Sequence, residues 1–153
     1  MLFRSACSDC HGDARQSMRG VAARYPAFHR TKGRPIALDE RIVECRADRQ
    51  GAPALPHESR ELLALSAWIA RQSRGMAIVP DADPRSTPFR EAGRASFELR
   101  QGQLRLSCAI CHDQLWGRSL GGSTIPQGHA TGYPIYRLEW QGLGSLEIGR
   151  AHV

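Results

Sequence analysis

The sequence predicts a mainly α-helical chain of two small tandem domains, and three observations predict it. The pattern C-x-x-C-H occurs twice, as Cys7-Ser8-Asp9-Cys10-His11 and as Cys108-Ala109-Ile110-Cys111-His112. Leu62, Leu65 and Ile69 recur at helical spacing between a capping Ser59 and a terminating Gly75. Between that helix and the second motif lies Pro80-Asp81-Ala82-Asp83-Pro84-Arg85-Ser86-Thr87-Pro88, which has three prolines and no apolar period. Such a stretch reads as a semi-rigid connection. The expected boundaries are a first domain over 1–79, a linker over 80–90, a second domain over 91–146 and a tail over 147–153.

The paired motifs carry the chemistry. Two cysteines separated by two residues sit about one helical turn apart, so both sulfurs can reach one edge of a porphyrin. The histidine that follows then becomes a ligand of the iron, which is the c-type haem attachment signature. Cys7, Cys10, Cys108 and Cys111 are therefore the expected thioether positions, and His11 and His112 the expected proximal ligands, for two haems c per chain. A single C-x-x-C can also be half of a zinc site or a thioredoxin-like redox pair. Neither a second pair at zinc-ribbon spacing nor a βαβ pattern accompanies these. The fold class that follows is two tandem class I cytochrome c-like domains.

Taken in order, Leu2, Phe3 and Ala6 read as the last turn of an N-terminal helix cut short. Met18 follows too soon after His11 to serve as a sixth iron ligand and is read as packing. Pro26 ends any helix begun at Val21. A short helix is expected over 39–49, with Asp39 as N-cap and Ile42, Val43 and Cys45 on its apolar side. Cys45 is the one cysteine outside the motifs. A buried free thiol is commonly inert, but this domain lacks a well-placed Met or His for the far side of its iron, which makes Cys45 the candidate. An anionic thiolate stabilises ferric iron and gives a low-potential haem.

Residues 60–74 form the next expected helix, with Leu63 and Trp68 broadening its stripe and Trp68 taken as core rather than electron relay. The second domain restarts with a helix at 93–99 containing Phe97. Downstream of His112, the segment 127–141 is rich in polar and aromatic side chains, and a helix is expected to begin near Ile135.

Composition narrows the class. With 41% apolar and 24% charged residues in 153, the chain is ordinarily globular, and no apolar run is long enough to span a bilayer. The net charge of +6 is almost wholly arginine, Lys32 being the only lysine. No arginine-aromatic interleaving or DNA-binding motif accompanies it, which argues against a nucleic-acid partner. Covalent haem attachment in bacteria takes place outside the cytoplasmic membrane, so the expected location is the periplasm. Met1-Leu2-Phe3-Arg4 lacks the apolar run of a secretory signal, so the chain is expected to start inside a longer protein.

Several of these segments together resemble the SoxA family, the dihaem cytochrome subunit of bacterial thiosulfate oxidation. They are Gly20-Val21-Ala22-Ala23-Arg24-Tyr25-Pro26, Arg41-Ile42-Val43-Glu44-Cys45-Arg46, Glu61-Leu62-Leu63-Ala64-Leu65, Gln72-Ser73-Arg74-Gly75, Gln101-Gly102-Gln103-Leu104 and the run from Gly128 to Gln141. The resemblance extends to about Leu146. It implies an L-cysteine S-thiosulfotransferase that couples thiosulfate to a cysteine of a SoxYZ-like carrier, pairs with a SoxX-like monohaem cytochrome and passes electrons to a soluble cytochrome c. It implies His11 and Cys45 as ligands of the first iron and His112 as a ligand of the second.

In the family a further cysteine, in an Arg-Asn-Cys context shortly after Leu-Glu-Trp-Gln, ligates the second iron and carries the reactive sulfur. No cysteine follows Trp140 here, so this polypeptide is expected to be inactive even where its parent is an enzyme. Likeness stops at Leu146, which implies that the second domain is truncated, and Ile148-Gly149-Arg150-Ala151-His152-Val153 reads as translated sequencing adapter, a non-native end. Arg137, His129 and Arg118 remain candidates for holding a dianionic substrate, against the plainer readings of propionate or surface-carboxylate pairing. The alternative to the enzyme is a dihaem electron-transfer cytochrome with no sulfur chemistry.

Overall fold

The computed structural model describes residues 6–80, 82–129 and 132–149. Leu2, Phe3 and the end of the expected tail, 150–153, lie outside them. The chain divides into two compact units, Met1–Asp83 with Gly132–Val153, and Pro84–Thr131. The segment after Gly132 thus packs with the first unit, whereas the sequence placed everything over 91–146 in one domain. Local contacts explain the difference: the Ser145 amide donates to Glu58 Oε2 at 3.3 Å, at the approach to the helix that opens at Arg60.

In the first unit, helix α1 (Cys7–His11) carries the first motif. The Asp9 carboxylate accepts from the Ala6 amide at 2.8 Å, tying down its first turn. Asp13 caps the next short helix, α2 (Ala14–Ser17), by accepting from the Arg15 amide at 2.9 Å. After a 3-10 turn (Ala22–Arg24), Pro26 opens a hairpin of β1 (Ala27–His29) and β2 (Arg34–Ile36), paired antiparallel with Ala27 opposite Ile36 and His29 opposite Arg34.

Helix α3 (Leu38–Asp48) follows directly. Ala37 occupies its N-cap without a side-chain bond, so Asp39 does not cap the helix; it sits with Glu40 in the first turn, where carboxylates favour the positive end of the helix dipole. Hairpin and helix are bolted together by charge. Glu40 takes Lys32 Nζ at 2.8 Å and Arg34 Nη1 at 3.0 Å. Glu44 takes His29 Nε2 at 3.0 Å and Arg41 Nη1 at 2.6 Å.

The Arg34 hydrogen bond holds the Glu40 carboxyl down to about 2 from an ordinary 4.5; burial opposes it as the next largest effect, and Lys32 adds to the lowering. A carboxyl depressed by folding stabilises above its unfolded value and loses that contribution as pH falls from about 4.5 toward 2. Both partners are partly solvated, so Glu40→Gln should cost only about 1 kcal/mol near neutral pH. That cost should shrink across the same acid window in urea titrations, and a pH-independent cost would remove the ion pair as its cause.

Helix α4 (Arg60–Arg71) begins as the sequence predicts, with Ser59 Oγ accepting from the Leu62 amide at 3.3 Å. It ends three residues before the expected Arg74, in turns that lead to Gly75 at φ +78. Its buried face is Leu62, Leu63 and Ser66, while Trp68 is 46% exposed and is not core. Helix α4 packs on α3 and on the 3-10 turn that holds the buried Ala23, whose carbonyl accepts from the Val79 amide at 2.8 Å.

The helix expected near Ile135 is a second hairpin, β5 (Ile135–Arg137) with β6 (Gly142–Gly144), followed by α6 (Leu146–Gly149). It repeats the first module step for step. Tyr133-Pro134 matches Tyr25-Pro26, both cis; Ile135 faces Gly144 as Ala27 faces Ile36; Gln141 and Gly33 hold the same turn position at positive φ; and Leu146 opens its helix as Leu38 does. Gly144 stands where Ile36 does in the first module, and a Cβ there would meet the Trp140 ring at 2.6 Å, so any side chain would have to displace that ring.

In the second unit, α5 (Thr87–Glu98) starts inside the expected linker, because proline is tolerated in a first helical turn, where its missing N–H is not needed. A turn closed by the Gln101–Leu106 bridge leads into the second motif, and a short hairpin of β3 (Ser119–Leu120) and β4 (Ser123–Thr124) follows it. Among the described residues the buried apolar side chains are Ala23, Ile36, Leu62 and Leu63, all of them in the first unit. Cores this thin suit units whose interior is completed by a large covalently held apolar group. No helix among the described residues is long and apolar enough to cross a membrane.

Candidate haem centres

At the first motif, Cys7, Cys10 and His11 are exposed and both thiols are free. Three positions apart on one helix, the two sulfurs share a side of α1. Cys45 is half-buried on α3, in the C-terminal half of that helix. Gln50 connects the two: its amide N–H donates to Cys45 O at 3.3 Å and its side-chain Nε2 approaches Cys7 Sγ at 3.7 Å. The end of α3 is thereby held beside the attachment helix.

The helix bearing Cys45 is itself fixed by the neighbouring Glu44. His29 is buried, and its Nδ1 accepts from the Lys32 amide at 3.1 Å, so the proton must sit on Nε2 and is donated to Glu44. Arg46 spends its Nε on the Pro53 carbonyl at 2.8 Å, closing the loop after α3. Met18 is half-buried at the end of α2, in keeping with a packing role.

The second motif differs in backbone. Cys111 and His112 lie on a π-helical turn (Ile110–Gln114), closed by the Leu115 amide on Ile110 O at 3.1 Å, whereas the first motif is α-helical. Such turns recur at functional sites because they re-aim a side chain. His112 Nδ1 lies 2.8 Å from Pro126 O. A carbonyl oxygen can only accept, so Nδ1 carries the proton and the Nε2 lone pair is left for a metal. A histidine ligand fixed through its other nitrogen is the arrangement a metal-binding imidazole needs.

A cavity of about 530 Å³ opens beside this imidazole, lined by Phe97, Trp116, Arg94, Glu98 and His129 among others. It falls within the size range of cofactor and small-molecule sites. The donor set, the fixed tautomer and the paired thiols fit a covalently held haem.

Of the substrate candidates, only His129 shares the cavity with His112. Arg118 is exposed in the turn before β3, where its carbonyl accepts from the Ile125 amide at 2.8 Å. Arg137 lies on β5 with its guanidinium 5.3 Å from the Trp140 ring centre, and its buried Nε has no hydrogen-bond partner among the described residues. Sequence reasoning missed Gln50, the His29–Glu44 lock and the Pro126-Gln127-Gly128 wrap. For the last, a proline and glycine shortly after the motif were the visible signal.

Fold and site together define a c-type cytochrome. The chain matches, over residues 4–78, the family described as the SoxA/TsdA cytochrome c domain. It is 34% identical over 142 residues to the L-cysteine S-thiosulfotransferase subunit SoxA of Pseudaminobacter salicylatoxidans, a match covering 92% of this chain and 50% of that protein. The corresponding subunit of Rhodovulum sulfidophilum is 37% identical over 134 residues, covering 88% and 47%. The solved structure of SoxXA from P. pantotrophus matches with a TM-score of 0.83 at 30% identity, over 92% of this chain and 53% of that one. The chain spans about half the length of the curated relatives it matches.

Proposed function

We propose that this chain is the dihaem-bearing part of a SoxA-like subunit acting in periplasmic thiosulfate oxidation. The observation that carries the reading is similarity to SoxA over about nine-tenths of a chain that holds two C-x-x-C-H motifs. The first haem would be bonded to Cys7 and Cys10 and ligated by His11 and Cys45. The second would be bonded to Cys108 and Cys111 and ligated by His112. Each attachment unit is a cytochrome c-like domain.

In the parent enzyme, the thiol of a SoxYZ-like carrier and thiosulfate join through a new sulfur–sulfur bond, giving a cysteine S-thiosulfonate and releasing one proton and two electrons. Bound haem supplies one-electron acceptance next to a polarisable sulfur. The electrons leave to a soluble cytochrome c, and a SoxX-like monohaem cytochrome completes the complex. Within this chain, His129, which lines the same cavity as His112, is the side chain offered to a dianion, and His112 is held ready by Pro126.

Expression with a haem-maturation system should give a coloured protein whose mass includes two haems, and Cys108→Ser/Cys111→Ser should remove one of them. A parent protein with a cysteine after Trp140 should transfer the thiosulfonate to the carrier, seen by mass spectrometry, while its haems become reduced. This chain alone should form no adduct. Redox cycling of that parent without adduct would instead establish the electron-transfer reading.

A further inference from the structure

We propose that Gly128 is a positioning residue for the second haem, setting the pose of the His112 imidazole through the space its missing side chain leaves. The inference rests on the reading of His112 as an iron ligand. Gly128 is not in the left-handed region of backbone space, unlike nine other glycines of the chain, so its conformation is open to any residue. What it lacks is room. A Cβ built there would stand 3.2 Å from both Cε2 and Cζ of Phe97 and 3.3 Å from Cβ of His112.

Two neighbouring groups of one loop thus grip a single side chain. Pro126 O fixes the ring rotation by accepting from Nδ1 at 2.8 Å, and the bare backbone of Gly128 sits against the root of the same side chain. Phe97, on α5, borders the same space, so a Cβ at Gly128 would meet that ring as well as the root of the His112 side chain. An added methyl must therefore either push Phe97 or tilt the imidazole. Ligand orientation is one of the ways a protein tunes a metal centre.

The test uses the full chain loaded with haem and compares Gly128→Ala with Gly122→Ala, whose Cβ would meet nothing within 4 Å. Electron paramagnetic resonance and spectroelectrochemistry follow both haems, the first serving as internal reference. The expected result is a shift of signal and potential confined to the second haem in Gly128→Ala, absent in Gly122→Ala. It should be reversed in Gly128→Ala/Phe97→Leu relative to Phe97→Leu alone, because the shorter side chain removes the ring atoms. Loss of the second haem in Gly128→Ala that the double variant restores supports the inference equally. An unchanged second haem, an equal shift in Gly122→Ala, or an effect that Phe97→Leu does not relieve would overturn it. Absence of a second haem from the unsubstituted chain would instead overturn the proposed function, since His112 would then hold no iron.

Discussion

Cys45→Met is expected to raise the midpoint potential of the first haem by on the order of 100 mV, within the ~0.8 V range that axial ligands command. The direction follows from charge. A thiolate stabilises ferric iron, and a neutral thioether does so far less, which favours the reduced state. The helix should tolerate the change, because Cys45 is only half-buried and α3 is held from other positions, by Glu44 on His29 and Arg41 and by Glu40 on Lys32 and Arg34. Spectroelectrochemistry of the haem-loaded protein measures the effect, with the second haem as reference. A first haem whose spectrum and potential ignore the substitution would take Cys45 off the iron.

Leu62→Ala should cost about 3 kcal/mol of stability, the middle of the range for truncating a buried leucine. Leu62 is 2% exposed and shares the small core with Ile36, Leu63 and Ala23. So few buried neighbours leave little material to collapse into the space. Guanidinium denaturation should show a lower midpoint with an unchanged slope. Trp68→Ala is the informative comparison, since that side chain is 46% exposed and should cost well under half as much. Equal losses at the two positions would mean that α4 buries the face the sequence pattern assigned to it.

The contrast between Leu62 and Trp68 shows where the sequence stops. Apolar periodicity located α4 and its cap at Ser59, because both depend on residues within a turn or two of each other. It could not say which side of a broad stripe meets Ala23, since that partner arrives from a distant loop. The same holds at Ile135, where aromatic and β-branched residues suit a strand, but only pairing with Gly142–Gly144 makes one. The repeat of the two hairpin modules was present in the letters, at Tyr25-Pro26 and Tyr133-Pro134. It went unrecognised because register and turn geometry are shared far more closely than side chains.

By itself the sequence pointed to haem c and to the positions proposed to bond it: cysteine spacing and an adjacent histidine are local, and covalent attachment asks for little beyond that spacing. It also singled out Cys45, by the shortage of alternatives. Tertiary structure alone decided which nitrogen of His112 is free, since Pro126 reaches that ring from another part of the chain. It decided likewise that α3 stands beside α1 through Gln50, and that residues after Gly132 pack with the first unit. Each of these depends on contacts between residues far apart in the chain, which composition and periodicity do not encode.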